Sequence, residues 1–241
     1  DAATGEPIAT LEGHGAAVWN AVFSPEGSLV ATASSDGTVR LWDAASGREL
    51  REMEGIGKGI AAVAFRPDGK ELTTVSWDRT RERGVFGVVK SWDPATGVLV
   101  RSLEHGVKPI TCASYSPDGS RFAAGTWDDD VAVWDTSTWG APKALVPPKD
   151  DSYKAVQAIA FSRDGKSLAV GAKDGTARLW DVASSTLVAT LSSHAEGQAP
   201  WVNGVAFLPD GRLAVAGSDA TLRLWDVAAR KPLGAFHGHA G

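Results

Sequence analysis

His14, Ser34 and Asp36 bring the three residue types of a hydrolytic triad into one stretch, and His105, Thr126 and Asp128 nearly repeat the set. Nucleophilic catalysis needs one hydroxyl activated by one base beside an oxyanion hole. Partial copies at a regular interval do not meet that geometric requirement. The run Asp128-Asp129-Asp130 is acidic enough to suggest calcium. It lacks the alternating oxygen ligands and the closing Glu of a calcium loop. Five histidines without His-x3-His or Cys/His spacing make no transition-metal motif. Gly55 to Gly59 is glycine-rich around Lys58, yet no Gly-Lys-Ser/Thr ending and no helix follow, so a phosphate cradle is not expected. Cys112, the one cysteine, falls at an inward-alternating position and reads as a buried, inert thiol. The expected cofactor and metal complement is therefore none.

The elements that carry these residues recur. Trp42, Trp92, Trp134, Trp180 and Trp225 are each followed by Asp, at successive spacings of 50, 42, 46 and 45 residues. A second marker keeps the same interval, an aromatic residue leading into a turn that ends in Gly: Phe23 to Gly27, Phe65 to Gly69, Tyr115 to Gly119, Phe161 to Gly165 and Phe207 to Gly211. A third is Gly-His, at Gly13-His14 and Gly238-His239, with His105 and His194 in related places. Within each unit, short runs rich in Val, Leu, Phe and Trp alternate with Pro-Asp-Gly or Asp-Gly turns. No helical period is sustained. Four-stranded antiparallel units repeating at this interval predict an all-β propeller.

On these motifs the chain resembles the WD-repeat β-propellers, bacterial ones in particular, over essentially its whole length. The resemblance implies one domain, 1–241, with repeats at about 14–55, 56–104, 105–148, 149–193 and 194–239. Residues 1–13 match the segment after Trp42 and are expected to be the outer strand of a preceding or closing blade, making five repeats plus one surplus strand. A five-bladed closure, an excerpt of a longer array and a ring completed by another chain all remain open, and the excerpt is favoured. The family's tying network of loop His, strand-b Ser/Thr, turn Asp and strand-c Trp maps onto His14, Ser34, Asp36, Trp42 and onto His105, Thr126, Asp128, Trp134. Repeats two, four and five depart from it, with Ile56 for the His, no evident His and Ala172 for the Ser, and Ser218 displaced by one residue, and should be less well tied.

By the same resemblance, partners meet the face from which the d–a and b–c connections emerge. The contacting positions are the residue before the turn Asp and two positions early in strand a. They map to Ser35, Trp77, Trp127, Lys173 and Ser218; to Trp19, Ala61, Thr111, Gln157 and Asn203; and to Ala17, Gly59, Pro109, Ala155 and Trp201. Four of the ten tryptophans, Trp19, Trp77, Trp127 and Trp201, thus fall on that face. Trp is the residue most enriched at binding hot spots. The b–c hairpin of repeat two is eight residues longer than its equivalents and adds Arg79, Arg81, Arg83 and Phe86. Trp139 follows strand c and has no assigned role.

Composition bounds the rest. A chain with 43% hydrophobic residues is globular, and a net charge of −5 argues against nucleic acid. No apolar run is long enough for a membrane span. A single cysteine fits a reducing, cytoplasmic compartment. The expected function is a non-catalytic docking module, part of a larger signalling or regulatory protein, that binds a protein or peptide, acidic or phosphorylated where arginines meet it. Homo-oligomerisation or ring completion by another chain is a further partner expectation. The alternatives are a small-ligand or glycan sensor and, behind it, a hydrolase using the central channel.

Overall fold

The structure is a computed structural model that describes residues 3–54, 59–80, 84–106, 108–127, 130–147, 155–192 and 201–237. The described residues form five four-stranded antiparallel sheets, as expected for propeller blades, and contain no helix. The first blade is β1 (Val18–Phe23), β2 (Leu29–Ser34), β3 (Val39–Asp43) and β4 (Glu49–Met53). The second is β5 (Gly59–Phe65), β6 (Leu72–Thr80), β7 (Gly84–Trp92) and β8 (Leu99–His105). The third is β9 (Ile110–Tyr115), β10 (Arg121–Thr126), β11 (Val131–Asp135) and β12 (Lys143–Leu145). The fourth is β13 (Val156–Phe161), β14 (Ser167–Ala172), β15 (Thr176–Asp181) and β16 (Thr186–Ser192). The fifth is β17 (Val202–Phe207), β18 (Leu213–Gly217), β19 (Thr221–Asp226) and β20 (Lys231–His237).

The chain divides into two compact units, Asp1–Ile110 and Thr111–Gly241. In the first, β5 packs on β1 and β2, and Ala31, Ala33, Leu41, Val63, Phe65, Leu72 and Trp92 share one core. Phe65 is 9% exposed there, whereas its equivalent Phe23, on the outer side of the first blade, is 67% exposed. In the second unit, β13 packs on β10, and β17 on β13 and β14. One core joins Ala123, Val131 and Leu145 to Val156, Phe161 and Trp180, and another joins Leu179 and Leu191 to Val202, Leu213 and Trp225.

Turn chemistry fixes the blades. After each strand a, the amide of Gly27, Gly69, Gly119, Gly165 or Gly211 closes onto the carbonyl three residues back, with φ between +69° and +87°. Only glycine adopts that region without cost, which is why the motif ends in Gly five times. The c–d turns use the same left-handed conformation at Gly47 and Gly97, and Trp139 takes that place in the third blade, with φ +50°. Trp139 is buried and its ring lies 5.5 Å from Phe122, so an aromatic residue closes this blade where glycine turns others.

Two sequence expectations change. Residues 3–13 form no strand. The segment instead runs beside Gly47, where Ala9 and Leu11 pack. The long hairpin of the second blade keeps its pairing to the end: its ladder continues through Asp78–Phe86 and Arg79–Val85 to Thr80–Gly84. Phe86 is buried at 6% exposure, so it is not presented to a partner.

The tying network also differs. Thr32, not Ser34, is its hydroxyl: Trp42 Nε1 donates to Thr32 Oγ1 at 2.8 Å, and Thr32 Oγ1 lies 2.7 Å from His14 Nε2. With His14 Nδ1 donating to Asp36 Oδ2 at 2.8 Å, one neutral tautomer satisfies the whole chain. The reason is diagonal reach. Val30 sits opposite Trp42 in the ladder, and the indole extends two residues along β2 to Thr32. Ser34 serves the turn, donating to the Ala16 carbonyl and accepting from the Asp36 amide. In the second blade Trp92 likewise donates to Thr74. In the third, the position of Thr32 is Ala124, while Thr126 Oγ1 accepts from the Asp130 amide, and His105 sits in β8 opposite Gly87. Asp128 lies outside the described residues.

In the fourth and fifth blades an arginine reaches the turn carboxylate; His194, the histidine of the fifth repeat, lies outside the described residues. The register aligns Val170 with Arg178 and Val215 with Arg223, the place of Thr32 and Arg40 in the first blade. Arg178 Nη1 reaches Asp174 Oδ2 at 2.8 Å and Thr176 Oγ1 at 2.6 Å, with its side chain only 2% exposed. Arg223 Nη2 reaches Asp219 Oδ2 at 2.6 Å. These blades are therefore tied, contrary to expectation, through a charge-assisted bond to the same turn carboxylate. The cost shows at Trp225, whose buried Nε1 has no acceptor among the described residues where Val215 stands for Thr.

Replacing Thr32 by Val strands both the Trp42 and the His14 ring nitrogens, at an expected cost of about 2 kcal/mol in chemical denaturation. Ser34→Ala costs about 1 kcal/mol, because the turn keeps its other bonds. The turn carboxylates also predict an acid limit. Asp36 is opposed by partial burial, but bonds from Thr38, His14 and the Gly15 amide hold its carboxyl well below the usual range. Arg223 does the same for Asp219, and Ser116 brings Asp118 down to about 2. A carboxyl that ionises more easily folded than unfolded stabilises above the unfolded value of about 3.9 and loses that contribution as pH falls toward the folded value. The urea midpoint should hold from pH 7 to 5 and fall steeply below 4; an unchanged midpoint down to pH 2.5 contradicts this. Burial pushes the Cys112 thiol up to about 12. Native protein should resist a thiol reagent at pH 8 and react fully once unfolded.

Candidate functional site

A β-bulge lies at the start of strand a in four blades, between Val18 and Asn20, Ile60 and Ala62, Val156 and Ala158, and Val202 and Gly204. The bulged residues are Trp19, Ala61, Gln157 and Asn203. A bulge leaves its extra residue out of the ladder and re-aims its side chain, so these positions escape the alternation that buries their neighbours. Beside them the b–c turn is pinned to strand a. The amide of the residue before the turn Asp bonds the carbonyl that opens strand a: Ser35 to Ala17 at 2.9 Å, Lys173 to Ala155 at 3.1 Å, and Ser218 to Trp201 at 2.8 Å. Ala155 has a left-handed φ of +53° at this junction.

In the first unit this face carries Trp19 and Trp77. Trp19 is 66% exposed and donates its indole N–H to Ser35 Oγ. Trp77 pairs with Gly59 in the ladder and its indole lies over that glycine, in the space a Cβ would fill. Gly59 thus allows a half-buried tryptophan to fold back on its own blade. Arg79 is exposed on the hairpin beside it, and Arg81 and Arg83 lie outside the described residues.

In the second unit three side chains from successive blades meet. Trp127 follows β10, Lys173 follows β14 and Trp201 precedes β17. The Lys173 ammonium stands 4.2 Å from the ring centroid of Trp127 and 4.3 Å from that of Trp201, within cation–π range of both. The two indoles remain 52% and 48% exposed. Asn203, also exposed, follows Trp201 on the bulge. Thr111, the position of Trp19 in the third blade, turns inward instead, its hydroxyl donating to the carbonyls of Gly125 and Val156 at 3.0 and 2.6 Å.

The sequence anticipated Trp127, Lys173 and Trp201 individually but not that they converge. It also missed Arg178, which holds the Asp174 turn that presents Lys173. The Asp-Gly-Thr-x-Arg pattern from Asp174 to Arg178 nearly recurs from Asp219 to Arg223, but it also stands at Asp36 to Arg40, where the arginine pairs with Glu49 and Glu52 instead, so the pattern alone does not reveal the grip. Among the described residues, no three His, Cys, Asp or Glu side chains stand close enough to hold a metal ion.

The comparisons with known proteins bear on the repeats that carry this face. The model of the WD domain, G-beta repeat family matches residues 5–43, 47–80, 97–135 and 185–226. A second, the WD40 domain of anaphase-promoting complex subunit 4, matches 132–201. Among curated proteins, a probable cytosolic iron-sulfur protein assembly protein CIAO1 homolog of Chlamydomonas reinhardtii is 50% identical over 42 residues. That stretch is 17% of this chain and 12% of the relative. Human striatin-4 is 61% identical over 33 residues, 14% of this chain and 4% of its own. Eukaryotic translation initiation factor 3 subunit I of Aspergillus niger is 46% identical over 41 residues, 17% of this chain and 12% of its own. Each likeness extends over about one repeat and a small fraction of the relative. All three relatives are eukaryotic, so the bacterial resemblance gains no support from them. With the family pattern matched over more than half its length and a blade standing at every match, the chain belongs to the WD40 repeat family.

Proposed function

We propose that this chain is a non-catalytic docking module that binds a peptide or a protein loop on the face formed by the strand-a starts and the b–c turns. The observation that carries the reading is the cluster Trp127, Lys173 and Trp201, with two indoles half exposed and held in place from three successive blades. Exposed Trp is costly to leave in water, and rigid aromatic anchors are what interface hot spots are made of. Trp19 and Arg79 extend the same kind of surface in the first unit. The positions around the strand-a bulges are mostly Ala, Gly, Thr, Gln and Asn, which offer little for acid–base chemistry. The two units are read as one propeller domain, 1–241, acting in the cytoplasm within a larger assembly. Relatives named as an assembly protein and as a subunit of an initiation factor are compatible with that role.

The test compares partners retained from native lysate by the wild-type chain and by a Trp127→Ala/Trp201→Ala variant, with circular dichroism confirming that both are folded. The expected loss per tryptophan is about 2 kcal/mol, roughly thirtyfold in affinity. Retention of the same partners with the same affinity by the folded variant overturns the reading.

A further inference from the structure

Lys173 is an unusual element of an aromatic surface. Its ammonium lies between two indoles at 4.2 and 4.3 Å, yet it makes no ion pair among the described residues. The turn carboxylates of its own blade and of the next are already occupied, while Asp128 and Asp129, which follow Trp127 in the chain, lie outside the described residues. Asp174 is held by Arg178 and Thr176, and Asp219 by Arg223 and Thr221. An ammonium carries three donors, and ring faces attract its charge without supplying an oxygen acceptor. Among the described residues, the indoles therefore orient the cation and leave its hydrogen-bonding capacity unused.

We infer that Lys173 is a charge-reading centre on the docking face, selecting a Glu or Asp side chain of a partner peptide whose neighbouring apolar residues pack on Trp127 and Trp201. The inference rests on the docking reading above and names the chemistry of its partner. Charge complementarity decides the occupant. A lysine or methylated lysine would have to displace Lys173 from between the rings, against like-charge repulsion. A phosphorylated side chain, with nearly two charges and three acceptor oxygens, calls for an arginine cluster or several donors. One ammonium flanked by apolar planes matches one carboxylate flanked by apolar side chains. The partner's carboxylate is partly shielded from water by the two rings, where the pair is stronger than on an open surface.

The test uses an immobilised library of end-blocked nonapeptides with a central Glu, Gln, phosphoserine, Lys or trimethyl-lysine and randomised flanks. It is probed with the wild-type chain and with Lys173→Gln, both checked by circular dichroism. The wild type should retain Glu-centred peptides at least tenfold over Gln-centred ones and enrich apolar flanks. Lys173→Gln should lose the Glu preference and keep the flanks. In a second measurement needing no variant, rising salt should weaken wild-type binding of Glu-centred but not Gln-centred peptides. Preference for phosphoserine, lysine or trimethyl-lysine overturns the inference, as does a Glu preference that survives Lys173→Gln or is insensitive to salt. Retention with no central preference also overturns it, but leaves the docking reading standing. No retention of any peptide overturns it too, and the separate Trp127→Ala/Trp201→Ala comparison then decides the docking reading.

Discussion

In three blades of this chain the structure depends on one constraint, a carboxylate in the b–c turn that must be gripped from two sides. One oxygen is taken within the turn, by the amide and hydroxyl of the Thr two residues on: Thr38 for Asp36, Thr176 for Asp174, Thr221 for Asp219. The other is taken by a group from elsewhere, His14 in the first blade, Arg178 in the fourth and Arg223 in the fifth. Donor chemistry differs, but the oxygen gripped and the turn conformation fixed are the same. This is why the fourth blade, with no histidine before its strand a and Val170 in the place of Thr32, stays tied.

The consequence for function is positional. The residue immediately before the carboxylate is the one displayed, and its amide is bonded to the opening carbonyl of strand a. In the fourth blade that residue is Lys173, so the buried Arg178 guanidinium determines where an exposed ammonium sits. Trp127 and Trp201 come from the blades on either side and fix the lateral position of the same charge. A site of this kind consists of turn residues that a rigid scaffold holds in register, which is how loops carry specificity on repeat folds.

Much of this was legible in the sequence because the repeating features act locally. Gly at the left-handed turn positions and Trp-Asp at the end of strand c fix backbone conformation residue by residue, so five blades and their order follow from spacing. The face positions were legible as well, since the bulge lies a fixed count before the aromatic residue of strand a. What depends on reach across strands was not. Thr32 and Ser34 occupy the same face two residues apart, and only the diagonal from Trp42 selects between them. Arg178 sits in a strand where an arginine would ordinarily mark a solvent face, and its burial follows from the Asp174 turn folding over it. Phe86 lies in a hairpin extension whose length was legible but whose buried face was not, and residues 3–13 repeat an outer-strand sequence yet form no strand.

The central claim is that the Arg178–Asp174 grip places the Lys173 ammonium between two indoles. Selective 13C labelling of the lysine ε-carbons, with the Lys173 resonance assigned through Lys173→Gln, observes that placement directly. Ring currents from Trp127 and Trp201 should move the Lys173 ε-methylene protons well upfield of the other lysines. In a folded Arg178→Gln variant that displacement should collapse toward the ordinary lysine position. A Lys173 signal already at the ordinary position in the wild type, or an upfield signal unchanged by Arg178→Gln, would contradict the account.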